Sequence, residues 1–364
     1  MNDVVIVGAG IIGMLTAREL MAAGLSVTLL ERRQPAKESS WAGGGILSPL
    51  YPWRYPDAVS ELARMSQHAY PGLCEALAGE TGIDPELEIS GLLTSGLDDM
   101  AEAVRWAGRF DVQLEPVSAE RAMQLEPQLG VALQDCVWMP GLGQVRNPRL
   151  TRALRASLDH ASAKIHANRP ALGWVMEAGR IRAVRTAGGD IEADAFVVAS
   201  GAWTAGLLKD TGLSLPIQPV RGQMILFRGP PGLVRRITLH KGRYAIPRRD
   251  GRVLFGSTLE YTGFEKHTTR EAFESLCQSA FSLLPTLKDL PIECHWAGLR
   301  PGSPDGVPVI GPHPELSNLY VCAGHFRNGV VLAPGSARLL ADQLTGRQAA
   351  IDVAPYLPEV ASVK

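Results

Sequence analysis

The apolar positions divide the chain into segments of different period. Residues 4–7 form a short β-branched run, broken by Gly8-x-Gly10-x-x-Gly13. Helical spacing follows to about Ala23, Gly24 ends it, and residues 26–30 make a second apolar run finishing at Glu31. That pattern predicts strand, helix and strand in direct succession. Residues 57–79, 98–108 and 147–162 carry the apolar stripe of amphipathic helices. Residues 191–208, "IEADAFVVASGAWTAGLL", read as a strand ending in small residues and Gly201 and leading into another helix. This is the pattern of a later strand returning to the first sheet. "PVRGQMILFRG", "RYAIPRRDGRVLFGS" and "PIECHWAGLRPG" combine β-branched, aromatic and turn residues, as strands of an antiparallel sheet do. Prolines 304, 308, 312 and 314 mark a rigid connecting stretch, and no repeat or low-complexity tract stands out.

Composition narrows the class. A chain of 364 residues with 46% hydrophobic residues can bury a large core, and two domains are expected. Lys plus Arg (36) and Asp plus Glu (37) nearly cancel, so no overall field draws the protein to nucleic acid or anionic membrane. The basic cluster Arg235, Arg236, Lys241, Arg243, Arg248, Arg249 and Arg252 is spaced along predicted hairpins and reads as solvated strand ends and loops. Cys74, Cys136, Cys277, Cys294 and Cys322 show neither disulfide nor metal-ligand spacing, and read as small buried residues in a reducing compartment. With Asp3 where a leader would be basic, and no apolar run of membrane-spanning length, a cytoplasmic protein is expected.

The opening unit carries recognisable chemistry. Gly8 allows a tight turn, Gly10 lets backbone approach a pyrophosphate, and Gly13 lets helix pack on strand. The helix N-terminus offers free N–H groups and the positive dipole end to that phosphate. Glu31 can accept a ribose hydroxyl and would repel a 2′-phosphate, which leaves FAD or NAD. "SSWAGGGILSP", residues 39–49, favours FAD, because a run of glycines lets backbone lie against a flat ring or phosphate. Gly201 offers the same close approach from the returning strand.

A second feature is a cation out of place. In "HFRNGVVLAP", residues 325–334, Arg327 stands at the mouth of an apolar run. A buried guanidinium needs a negative partner. An internal acid such as Asp305 or Glu293 would serve, and so would a ligand. No Ser/His/Asp grouping, Cys/His pair or metal cluster suggests a nucleophile or a metal.

The opening motif with its Glu31, "VVASGAW", "HWAGLRPGSPDGVPVIG" and "HFRNGVVLAPGSARLLADQL" occur in the order of the D-amino-acid oxidase-like family of FAD flavoproteins. Over essentially its whole length the chain resembles that family, and within it the glycine-oxidising branch associated with thiamine biosynthesis. The resemblance implies an α/β fold: a Rossmann-like FAD domain assembled from residues 1–80, 145–215 and 297–364. An α+β substrate domain with an antiparallel sheet would comprise residues 81–144 and 216–296.

It also implies site residues. FAD contacts would come from Gly8, Gly10, Ile11, Ile12 and Gly13, from Glu31 and Arg32, from Ser39 and Ser40, and from Gly44, Gly45 and Ile46. Ala171, Gly201 and the run His325, Phe326, Arg327, Asn328, Gly329, Val330 and Val331 complete that set. Arg300, Arg327 and Tyr244 would hold a substrate carboxylate, and no side chain would act as acid or base. His240, His295 and His325 read as positioned or core histidines. Trp41 is bulkier than expected at its place in the 39–46 loop.

The implied reaction oxidises glycine, sarcosine or small D-amino acids with oxygen as acceptor, in a homo-oligomer, a tetramer by family habit. A D-amino-acid dehydrogenase, another secondary-amine oxidase or a non-enzymatic flavin-binding module are the alternatives. In one neighbouring branch the flavin is joined to a cysteine shortly before a TPD-like stretch. Here that place holds Gly298, with Cys294 out of register, which implies non-covalent FAD.

Overall fold

The computed structural model describes residues 2–130 and 133–359. Two large sheets organise them. At the centre of the first, Asn2–Val7 pairs in parallel with Val27–Leu30 on one side and with Ile191–Val198 on the other. The strand 191–198 does return to the first sheet, beside the N-terminal strand. Lys164–His166 extends one edge in parallel, while Leu319–Ala323 and Val309–Pro312 extend the other. Ala171–Glu177 and Arg180–Thr186 run off this sheet as an antiparallel pair.

The helices predicted from periodicity are Ile11–Ala22, Asp57–Thr81, Met100–Phe110 and Asn147–His160. Three of these, with the last helix Ala333–Thr345, contribute to one hydrophobic core against the first sheet, through residues such as Met14, Leu62, Leu154 and Leu340. The strands are buried on both faces, which is why they read as continuous apolar runs.

The second sheet is built on Gln218–Arg228, which pairs antiparallel with Ile292–Gly302 and with Arg252–Gly256. Arg243–Pro247 and Ile237–His240 continue it. The expectation of an antiparallel sheet needs one correction: Ile237–His240 lies parallel to Leu92–Ser95, a segment 145 residues earlier. Nothing in local period reports a pairing over that separation. One face packs on Arg270–Leu283 and Ala119–Leu125 through residues such as Phe227, Phe255 and Leu276. The other face, with Met224, Tyr244, Ile246 and Leu254, looks toward Ile46 and Leu50 of the N-terminal half.

Among the described residues, no helix is long and apolar enough to cross a membrane.

Candidate functional site

A single cavity of about 640 Å³ runs from the end of the first sheet to the face of the second. That volume lies within the range of cofactor and small-molecule sites. At one end Gly8, Gly10, Ile11 and Ile12 line it, with Glu31, Arg32, Ala171 and Gly201. Ser39, Ser40, Gly44, Gly45 and Ile46 form its middle wall. His325, Phe326, Arg327, Gly329, Val330 and Val331 form the facing wall, and Tyr244 and Arg300 close the far end. Two expected contacts fall outside the lining. Gly13 packs instead against the first strand, where an added Cβ would lie 1.9 Å from the Gly8 carbonyl oxygen. Asn328 is buried behind the wall, and its N–H donates to the His325 carbonyl at 2.9 Å.

The opening turn presents donors. Ser40 Oγ accepts the Ile11 N–H at 2.9 Å, and the first intrahelical bond runs from the Met14 N–H to the Gly10 carbonyl. The amides of Ile12 and Gly13 are therefore left without an intrahelical acceptor. Glu31 is aimed by backbone: its Oε2 accepts the Ala9 N–H at 3.1 Å and its Oε1 the Arg33 N–H at 3.0 Å. A carboxylate has about four acceptor positions, so lone pairs remain for a ligand hydroxyl. Arg32 lays its guanidinium over the Trp203 ring, 3.8 Å from the centroid. The facing wall adds three more donors: among the described residues the amides of Gly329, Val330 and Val331 find no acceptor. Tyr70 holds this segment from behind, its hydroxyl donating to the Val330 carbonyl at 2.5 Å.

The 39–49 segment is not the plain loop expected from its glycines. Ser39–Ala42 is a short helix, secured by the Asn147 Nδ2 donating to the Ser40 carbonyl at 2.9 Å. Trp41 turns out of the segment onto Trp296, edge to face at 5.7 Å. The glycines meet protein: a Cβ at Gly45 would lie 2.0 Å from the Val145 carbonyl oxygen, and one at Gly44 2.7 Å from Ile246. Arg248 corrects the reading of the basic cluster as solvated. Its guanidinium reaches inward to the Gly44 carbonyl (2.7 Å), Gln144 Oε1 (2.7 Å) and the Val145 carbonyl (3.0 Å). Burial pulls it down to about 10. Arg243 is also turned inward, its Nη1 buried without a hydrogen-bond partner among the described residues. Cys294 is exposed, against the expectation that every cysteine is buried.

The far end bears on the question raised by Arg327. Among the described residues neither Arg300 nor Arg327 has a carboxylate within 4 Å. Glu293 is taken by Arg252 at 2.5 and 2.6 Å, and the Asp305 carboxylate accepts the Val307 N–H at 3.1 Å. Burial pulls Arg300 below the usual guanidinium range; the Tyr244 hydroxyl beside it opposes that shift, and the Arg327 charge adds to it. His325 is buried, with Nε2 2.9 Å from Ser336 Oγ, and burial lowers it to about 3. It is neutral at physiological pH and cannot take up a proton there. Among the described residues no group of acidic, His or Cys side chains could hold a metal ion.

The family model of FAD-dependent oxidoreductases matches residues 3–343. The chain belongs to that family. This flavoenzyme is 53% identical to the glycine oxidase of Pseudomonas aeruginosa, with 98% of each chain covered. The crystal structure of glycine oxidase from Geobacillus kaustophilus superposes with a TM-score of 0.93 at 31% identity, covering 98% of both chains. A bifunctional ThiO/ThiG protein of Trichormus variabilis is 32% identical across 94% of this chain, which spans 52% of that longer protein. The free amides of the opening turn and of the facing wall, with the aimed Glu31 at the end of the second strand, suit the two phosphates, the ribose and the polar ring edge of FAD. Trp203 and Arg248 were not singled out from sequence. "GAW" after the returning strand was a signal for the first, whereas the second is distinguished only by contacts 104 and 204 residues away.

Proposed function

We propose that this flavoenzyme oxidises glycine, and with it sarcosine and small D-amino acids. The balanced reaction converts glycine, water and oxygen to glyoxylate, ammonia and hydrogen peroxide. The observation that carries the reading is the pair Arg300 and Arg327: two guanidiniums on the cofactor cavity with no carboxylate partner among the described residues. A substrate carboxylate meeting them makes charge-assisted hydrogen bonds that fix orientation as well as affinity. Bound FAD supplies the two-electron acceptor for the substrate Cα–H.

The chain's own work is placement. Tyr244 and the two arginines hold the carboxylate, so that Cα is presented to the middle of the cavity. The amides of residues 329–331 stabilise negative charge along the facing wall. No side chain need take the Cα proton, which agrees with a neutral His325. The substrate leaves as an imine that water hydrolyses. Supply of that imine to the thiazole of thiamine is part of the proposal, supported by the likeness to the ThiO/ThiG proteins.

FAD is proposed to be held without a covalent bond. Of the cysteines only Cys322 lines the cavity among the described residues, and burial raises its thiol far above the reactive range. At Gly298 a Cβ would lie 2.6 Å from that of Ala42. The domain division given above and a homotetramer, which rest on the family resemblance, and cytoplasmic location, which rests on the sequence composition and the lack of a membrane-length apolar run, complete the proposal.

A peroxide assay with glycine, sarcosine and D-alanine tests the reaction. Equimolar peroxide and glyoxylate from glycine are expected, and no turnover of any of the three would refute it. Acid precipitation should leave the yellow colour in the supernatant; a yellow pellet would refute non-covalent binding.

A further inference from the structure

Arg300 is itself held. Its side chain lies over the backbone of the neighbouring strand, where a Cβ at Gly222 would come 2.1 Å from Nη1. Its Nη1 donates to the Thr258 carbonyl at 3.1 Å and its Nη2 to Ser257 Oγ at 2.7 Å. A guanidinium is a rigid plane with five N–H bonds, so fixing two of them decides where the other three point. The position of residues 257–258 therefore sets the direction of Arg300.

A network centred on Glu260 sets that position. The Glu260 carboxylate accepts from Arg221 Nε (2.9 Å) and Nη2 (2.6 Å), from Gln223 Nε2 (2.9 Å) and from the Thr258 hydroxyl. Having donated to Glu260, the Thr258 oxygen accepts the Gln223 N–H at 2.8 Å. The backbone bonds run parallel to these: Thr258 N–H to the Gln223 carbonyl at 3.2 Å, and Arg221 and Glu260 exchanging bonds at 2.8 and 2.9 Å. Arg221 and Gln223 are buried at 4% and 0% exposure, so these bonds form largely out of water. Four donors converge on one carboxylate, and only an acceptor-only group satisfies them all.

We propose that Glu260 is a positioning residue for the substrate carboxylate, acting through Thr258 and Ser257 to preset the Arg300 guanidinium. The inference rests on the proposed role of Arg300.

The test uses the FAD-loaded enzyme and two variants, Glu260→Gln, which puts an amide donor among four donors, and Thr258→Val, which removes one link and leaves the buried Arg221 paired. Each should raise KM for glycine about tenfold or more, the loss expected when one charged hydrogen bond is misaligned, with kcat nearly unchanged. The Kd of glycolate, an unreactive carboxylate read from the flavin spectrum, should rise by the same factor, while the Kd of FAD stays constant. Glu265→Gln, at an exposed carboxylate 4.0 Å from Arg221, should change neither. In an Arg300→Ala background, Thr258→Val should add no further loss. If Glu260→Gln does not fold, Thr258→Val carries the test.

A merely structural network would lower the melting temperature and leave the glycolate Kd of the folded variants unchanged, which overturns the proposal. If Arg300→Ala leaves the glycolate Kd unchanged, the carboxylate role of Arg300 fails and this inference fails with it. If Arg300→Ala weakens glycolate and neither Glu260→Gln nor Thr258→Val does, the inference alone is overturned.

Discussion

Arg300 and Arg327 have different surroundings, and truncating each should have different consequences. The Arg327 guanidinium makes no hydrogen bond to protein among the described residues, whereas Arg300 makes two. On the proposed function, replacing Arg327 by Ala therefore removes only contacts made with substrate. One charge-assisted hydrogen bond is worth about 1.5–3 kcal/mol, and each 1.4 kcal/mol is about tenfold in affinity. With Arg300 still holding the carboxylate, KM for glycine should rise roughly 10- to 150-fold in Arg327→Ala. Stability should hold or increase slightly, because removing a nearby positive charge relieves the buried Arg300. Arg300→Ala should weaken glycine at least as much and also cost about 1–2 kcal/mol of stability, since Ser257 Oγ and the Thr258 carbonyl lose their donors. Steady-state kinetics and urea unfolding of FAD-loaded protein measure both. An Arg327→Ala enzyme that kept its KM but unfolded more readily would show that Arg327 supports the fold and not the substrate.

Three further outcomes follow from the geometry. Gly13→Ala places a methyl 1.9 Å from the Gly8 carbonyl oxygen, so the helix must move off the strand; the purified variant should carry little FAD by its absorbance ratio. Glu31→Ala leaves the Ala9 and Arg33 N–H groups without their acceptor and removes a ribose acceptor, and FAD should bind about 10- to 100-fold more weakly by fluorescence titration. Burial lowers His325 from 6.5 to about 3, so the unfolded chain takes up the extra proton between those values. Stability is then fully present above pH 6.5 and falls with pH by about 1.4 kcal/mol per unit toward pH 3. His325→Gln should flatten that slope, and an unchanged slope would assign it to other groups.

The parts of this molecule that could be read from sequence are those whose cause is local. The strand–glycine–helix–strand opening is legible because buried parallel strands and a helix with close backbone approach each leave a mark within 30 residues. Helices such as Asn147–His160 show themselves by period. The motifs around Arg300 and Arg327 located the far end of the cavity, but their spacing could not choose between an internal acid and a ligand. The structure adds only that Glu293 pairs with Arg252 and that the Asp305 carboxylate accepts the Val307 N–H. What stayed hidden depends on contacts between distant segments. Arg248 looks like any hairpin cation until its reach to the Gly44 carbonyl is known. The hold on Arg300 by Ser257, 43 residues earlier, and the parallel pairing of Leu92–Ser95 with Ile237–His240 have no local signature. The 39–49 glycines line the cavity and also meet protein: a missing side chain records a close neighbour without saying whether that neighbour is ligand or protein.

The most direct test of the central claim is an anaerobic absorbance titration of the FAD-loaded enzyme with glycine. The account predicts that glycine bleaches the oxidised-flavin band, that admitted air restores it, and that peroxide appears in step with its return. A yellow protein whose band no concentration of glycine, sarcosine or D-alanine can bleach would contradict it, and would mean that the two arginines facing the cavity serve something other than an amino acid's carboxylate.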